Sequence, residues 1–124
     1  MLLWIAVAIG GSLGAMSRYA VSQMFLSVPG KLPYATLTVN ILGSFLMGMF
    51  FVLILHKGIL PAVWRQVVMV GFLGAFTTFS AFSIEAVELI HVGQWQVALL
   101  YALISVVACI GAAALGYYLT NTVF

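Results

Sequence analysis

Thirteen consecutive residues, Gly71-Phe72-Leu73-Gly74-Ala75-Phe76-Thr77-Thr78-Phe79-Ser80-Ala81-Phe82-Ser83, put two glycines, four hydroxyl side chains and four phenylalanines inside a long apolar segment. A membrane helix tolerates a break only where the freed backbone groups face protein or a water-filled cavity. Broken helices near the bilayer midplane are a recurring way to build ion and substrate sites. Phe79 and Phe82 stand at i, i+3 directly after Thr77-Thr78, with Ser80 and Ser83 beside them. A phenyl ring has a negative face and a positive edge. Ring edges can therefore face an anion without holding it with a full charge. Weak holding suits conduction, because a conducting site must also release its ion. The plainer role of the same phenylalanines is packing or lipid contact.

Other polar residues recur at helical spacing. Thr36, Asn40 and Ser44 at i, i+4, i+8 share one face, and Thr38 lies elsewhere on the circumference. A buried amide wants a partner or water. Asn40 therefore either bonds a neighbouring helix or serves as a donor on a polar track. Tyr101, Ser105 and Cys109 repeat the spacing as a weakly polar stripe. Glu85 and Glu88 lie toward the end of the phenylalanine segment, where an interfacial position accounts for both. Glu85 is also near enough to the break to hydrogen-bond inside it. Arg18 is the one basic residue clearly within an apolar segment. A mid-depth charge costs at least about 2.5–3.5 kcal/mol. Arg18 thus snorkels from two turns inside the helix end, lines a positive vestibule that draws anions, or does both.

The elements that must position these residues are membrane helices. Of 124 residues, 65% are hydrophobic and 5% charged, with mean hydropathy +1.27. A soluble domain carries about a quarter charged residues. The reading is an all-α integral membrane protein, one four-helix domain over 1–124, embedded in a lipid bilayer. A net charge of +2 is too thin for nucleic acid, and the single Cys109 excludes an internal disulfide. Four segments are long enough for about 30 Å of hydrocarbon: Leu2 to Phe25, Pro33 to Leu55, Val63 to Ile90 and Gln94 to Thr120. The start lacks the basic region of a signal peptide, so the first segment reads as a retained helix. Short links make sequential helices antiparallel neighbours. Small residues at four-residue spacing, Gly10 and Gly14, Ser44 and Gly48, then Ala108, Ala112 and Gly116, predict close backbone packing. Four short helices alone do not surround a sizeable site, so an oligomer is expected.

No HExxH, GxSxG, Walker or GxGxxG pattern occurs, and no nucleophile–base pair stands out, so the chain does not read as an enzyme. A small multidrug exporter of this size would need an acid embedded in its first helix, and Leu2 to Arg18 contains none. A non-transporting assembly subunit would need neither the Asn40 track nor the break.

Three motifs, taken together, resemble one family. Gly10-Gly11-Ser12-Leu13-Gly14-Ala15-Met16-Ser17-Arg18-Tyr19, Thr36-Leu37-Thr38-Val39-Asn40-Ile41-Leu42-Gly43-Ser44-Phe45 and the Gly71–Ser83 stretch are similar, in order and spacing, to the bacterial fluoride channels known as Fluc or CrcB. The resemblance covers essentially the whole chain. It implies passive, selective export of fluoride across the bacterial inner membrane. It implies a dual-topology antiparallel homodimer with a broken third helix and two pores. Phe79 and Phe82 match the pore phenylalanines and Asn40 the pore asparagine. Thr36, Ser80, Tyr101 and Ser105 fall on or beside the polar track. The resemblance further implies a structural sodium ion at the dimer centre, held by main-chain carbonyls that match Gly74 and Thr77. Ala81 stands where a hydroxyl residue is frequent in the family, and Cys109 where a serine can occur.

Overall fold

A computed structural model describes all 124 residues, Met1–Phe124. Four helices are long and apolar enough to cross a membrane: Leu2–Met24, Tyr34–His56, Arg65–His91 and Trp95–Val123. No strand is present. The chain is a multi-pass helical membrane protein; the first span starts at Leu2 as expected from sequence, and the other ends shift by one to three residues.

The first span is one helix, α1 (Leu2–Met24). The second is α2 (Tyr34–Phe50), which widens into a π-helical turn over Phe51–His56. The third begins as a nine-residue π-helix, Arg65–Leu73, tightens into α3 (Gly74–Phe76) and resumes as α4 (Phe79–His91). The fourth is α5 (Trp95–Val123). The π-helical stretches were not expected. They replace i→i−4 bonds with i→i−5 bonds. Residue propensities do not encode that choice, because it depends on what the helix packs against.

The turn after α4 shows how local sequence stops a helix. Gly93 has φ +78, and a residue without Cβ occupies that region freely. Gln94 N–H then bonds Leu89 O at 2.8 Å and Gly93 N–H bonds Ile90 O at 3.0 Å. These are the two bonds of a Schellman ending, and they satisfy carbonyls that the helix end leaves open.

Packing follows two seams. The helix α1 lies on the π-helical segment and on α3, while α2 lies on α5. Contact between α5 and α4 joins the halves. Glycines set the closeness of both seams. A Cβ on Gly10 would overlap the Val67 carbonyl, and one on Gly14 the Phe72 carbonyl. A Cβ on Gly48 would overlap Ala113 O, and one on Gly116 would overlap Phe45 O. These are backbone-to-backbone contacts, which give membrane helices dispersion energy where lipid removes the hydrophobic drive. A small apolar cluster of Leu89, Ala98 and Tyr101, flanked by Phe82 and Leu37, fastens α4 to α5.

Candidate functional site

The site is built around the two residues between α3 and α4. Thr77 (φ −82, ψ 155) and Thr78 (φ −152, ψ 117) are extended. The N–H and hydroxyl of Thr77 both donate to Leu73 O, at 3.1 and 2.9 Å. Thr78 N–H donates to Asn40 Oδ1 at 2.8 Å, and Asn40 Nδ2 donates to Thr78 O at 3.0 Å. The amide of Asn40 thus pairs with a backbone as another peptide would. Thr78 Oγ1 accepts from Ala81 N–H at 3.2 Å and caps α4.

This arrangement changes two carbonyls. In a continuous α-helix Thr78 N–H would bond Gly74 O, and Ala81 N–H would bond Thr77 O. Here those donors go to Asn40 and to the Thr78 hydroxyl. Gly74 O and Thr77 O therefore both lose the donors that a continuous α-helix would give them. Such oxygens, in a segment long and apolar enough to cross a membrane, want water or a cation.

A cavity of about 400 Å³ opens beside the extended residues. It brings together Asn40, Thr77, Phe79, Phe82 and Ser105, with Ser44 and Cys109 also on its wall. The rings of Phe79 and Phe82 are tilted 42° with centroids 5.3 Å apart. Phe82 in turn lies 5.0 Å from the Tyr101 ring. Phe79 is 77% exposed, so the cavity is open on its side.

Of the residues expected on or beside the polar track, Thr36, Ser80 and Tyr101 lie outside this cavity's wall, as do Arg18 and Gly74. Thr36 Oγ1 and Tyr101 OH donate to the two oxygens of Glu85, each at 2.7 Å. Thr36 and Tyr101 are buried, and Glu85 is partly so. Ser80 is exposed and pairs with the Thr78 hydroxyl at 3.2 Å. Arg18 and Glu85 line a separate cavity of about 310 Å³ together with Thr36 and Thr78, and no salt bridge joins them. The sequence leaves Glu85 either at the interface or hydrogen-bonded inside the break; it does not indicate that this carboxylate bridges the hydroxyls of Thr36 and Tyr101. The nearest signal was its i+3 relation to Phe82, which puts both on the α4 face turned to Tyr101.

Residues 5–117 match the family described as CrcB-like protein, Camphor Resistance (CrcB). The chain belongs to the CrcB family. It is 54% identical over 121 residues to the fluoride-specific ion channel FluC of Saccharophagus degradans, covering 98% of this chain and 91% of that protein. It is 47% identical over 111 residues to the fluoride-specific ion channel FluC of Magnetococcus marinus, covering 89% and 90%. With that of Hahella chejuensis it shares 46% over 120 residues, covering 96% and 94%. In this CrcB chain the three sequence motifs meet in space. Gly10 and Gly14 of the first press on the third span, and Asn40 of the second pairs with Thr78 of the third.

Proposed function

We propose that the chain is a fluoride channel, not an enzyme, that lets fluoride leave the bacterial cytoplasm passively through the inner membrane. The observation that carries this reading is the cavity holding Asn40, Ser105 and the tilted rings of Phe79 and Phe82, in a chain whose relatives are named fluoride-specific ion channels. Stripping an anion of water in a dry medium costs tens of kcal/mol. The amide of Asn40, the hydroxyl of Ser105 and two phenyl edges are replacements for that water. Thr36 and Tyr101 direct their hydroxyl hydrogens at Glu85, so in this arrangement they hold a carboxylate rather than fluoride. Arg18, at the neighbouring cavity, supplies positive potential at a vestibule. Weakly acidic HF enters cells and dissociates there. An inside-negative potential then drives the anion out by about 2.3 kcal/mol per charge per 100 mV. The test is purified protein in liposomes with a fluoride electrode: efflux of fluoride but not chloride is expected, and no flux above protein-free liposomes overturns the reading.

The working unit in this proposal is an antiparallel homodimer with two pores. Its support is the openness of the cavity at Phe79 and the balance of charge along the chain. With four spans, Lys57 and Arg65 fall on one side, and Lys31 with Arg18 on the other. Orientation follows the Lys/Arg difference between sides, and here the count is two against two. Both orientations should insert from one gene. Reporters on the C-terminus that work on opposite sides of the membrane should both give signal, and signal from only one would overturn dual topology. Adding two lysines after Phe124 should then lock one orientation and reduce fluoride export.

The proposal includes a sodium ion at the dimer centre, held by main-chain oxygens of Gly74 and Thr77 from both subunits. The residues fit it: those carbonyls have given up their helical donors, and carbonyl oxygen suits a hard cation. When bound, the ion would neutralise converging carbonyl dipoles and serve structure rather than transport. Exchanging sodium for a bulky organic cation should lower the thermal midpoint, since a ligand at about 100 times its Kd stabilises by about 2.7 kcal/mol. An unchanged midpoint would remove the ion from the proposal.

A further inference from the structure

We propose that Asn40 and Gly43 form a clamp that keeps the third span interrupted and thereby sets where Phe79 and Phe82 stand. This inference deepens the fluoride-channel reading and rests on it for its flux measurements. Asn40 and Gly43 lie at i, i+3 on α2, on the face turned to Thr77 and Thr78. The first of them works by hydrogen bonding. Its Oδ1 takes the Thr78 N–H and its Nδ2 gives to Thr78 O, at 2.8 and 3.0 Å. While that pair holds, Thr78 N–H is not available to Gly74 O, and the helix does not close through the site. One Nδ2 hydrogen remains for the cavity.

The second works by having no side chain. A Cβ on Gly43 would overlap Thr77 Cγ2 and would come within 3.3 Å of Phe76 Cδ1. The missing Cβ is the room in which the Thr77 methyl sits. Thr77 is the first extended residue, so moving its side chain moves the start of the interruption. Gly43 lines the same cavity without offering any polar side chain. Its effect on transport therefore passes through Thr77, which makes it a positioning residue. Asn40 has two tasks under this proposal, one on the backbone of Thr78 and one toward the anion.

The test uses the full chain in detergent and in liposomes. Gly43→Ala is expected to lower fluoride efflux by about tenfold or more and to speed amide exchange across residues 77–81. Thr77→Ser removes the methyl that the new Cβ would strike and keeps the hydroxyl that bonds Leu73 O. The double variant Gly43→Ala/Thr77→Ser is expected to return efflux to within about threefold of Thr77→Ser alone. A cavity merely narrowed by the alanine would not be rescued this way. Efflux of Gly43→Ala at the wild-type rate, or a double variant as impaired as Gly43→Ala alone, overturns the role of Gly43. If Gly43→Ala gives no folded protein, recovery of folded dimer in the double variant reads the same contact. For the other half, Asn40→Ala is expected to raise exchange at the Thr78 amide by about tenfold or more, and unchanged exchange overturns it. Exchange needs no fluoride, so a wild-type protein that carries no fluoride sinks the channel reading while exchange still decides the clamp.

Discussion

Phe82→Ile is expected to cut fluoride efflux from liposomes by about 100-fold or more, an added barrier of roughly 2.7 kcal/mol. Isoleucine keeps apolar bulk at the position and removes the ring whose positive edge, in the proposed channel, would face the anion. Phe82 is the inner of the two rings, packed 5.0 Å from Tyr101 and 5.3 Å from Phe79. Both neighbouring rings limit how the Phe82 ring can turn. Phe79 is largely exposed on the open side of the cavity, so Phe79→Ile should impair flux less within a single chain's own wall. Size-exclusion chromatography should show the Phe82 variant still folded. Efflux near the wild-type rate in that variant would take Phe82 out of the pore.

Gly14→Ala is expected to lower the thermal midpoint by on the order of 10 °C, or to leave no folded protein, whereas Gly11→Ala should be nearly silent. The two glycines lie three positions apart in one motif and look alike in the sequence. A Cβ on Gly14 would overlap the Phe72 carbonyl, which is backbone and has nowhere to go. Overpacking of that kind typically costs about 1–3 kcal/mol even when neighbours are flexible side chains. A Cβ on Gly11 would meet nothing nearer than Gly71 O at 4.0 Å, an ordinary contact. Thermal unfolding in detergent, followed by loss of the monodisperse peak, checks both. Equal midpoints for the two variants would mean that the α1 seam is set elsewhere.

The four spans were legible because apolar length is a one-dimensional property that the chain carries openly. The family was legible because three motifs keep their order. The geometry of Gly71–Ser83 was less so. Its composition marked it as special, but where each donor goes depends on α2, some forty residues earlier in the chain. Thus Asn40 read as a face residue on a helix, and its pairing with both backbone groups of Thr78 could be seen only once the helices were packed. Glu85 fell short in the same way. Its two hydroxyl donors come from α2 and α5, which helical spacing on α4 alone does not bring together. Ser80, adjacent to Phe79, turned out to bond Thr78 on an exposed face, because neighbours at i, i+1 point about 100° apart on a helix.

The nine π-helical residues from Arg65 to Leu73 make the third span tolerant of a change in length. A π turn closes its hydrogen-bonded ring over one residue more than an α turn does. Deleting a single residue within that stretch lets a π turn relax to an α turn while both of its ends stay where they are. The phase of Thr77, Phe79 and Phe82 about the helix axis is then preserved, where the same deletion inside α4 would rotate every following residue by about 100°. The span therefore carries slack on the side leading to the site and none on the side leaving it. A one-residue deletion between Arg65 and Leu73 is therefore expected to leave Phe79 and Phe82 on the wall of the same cavity.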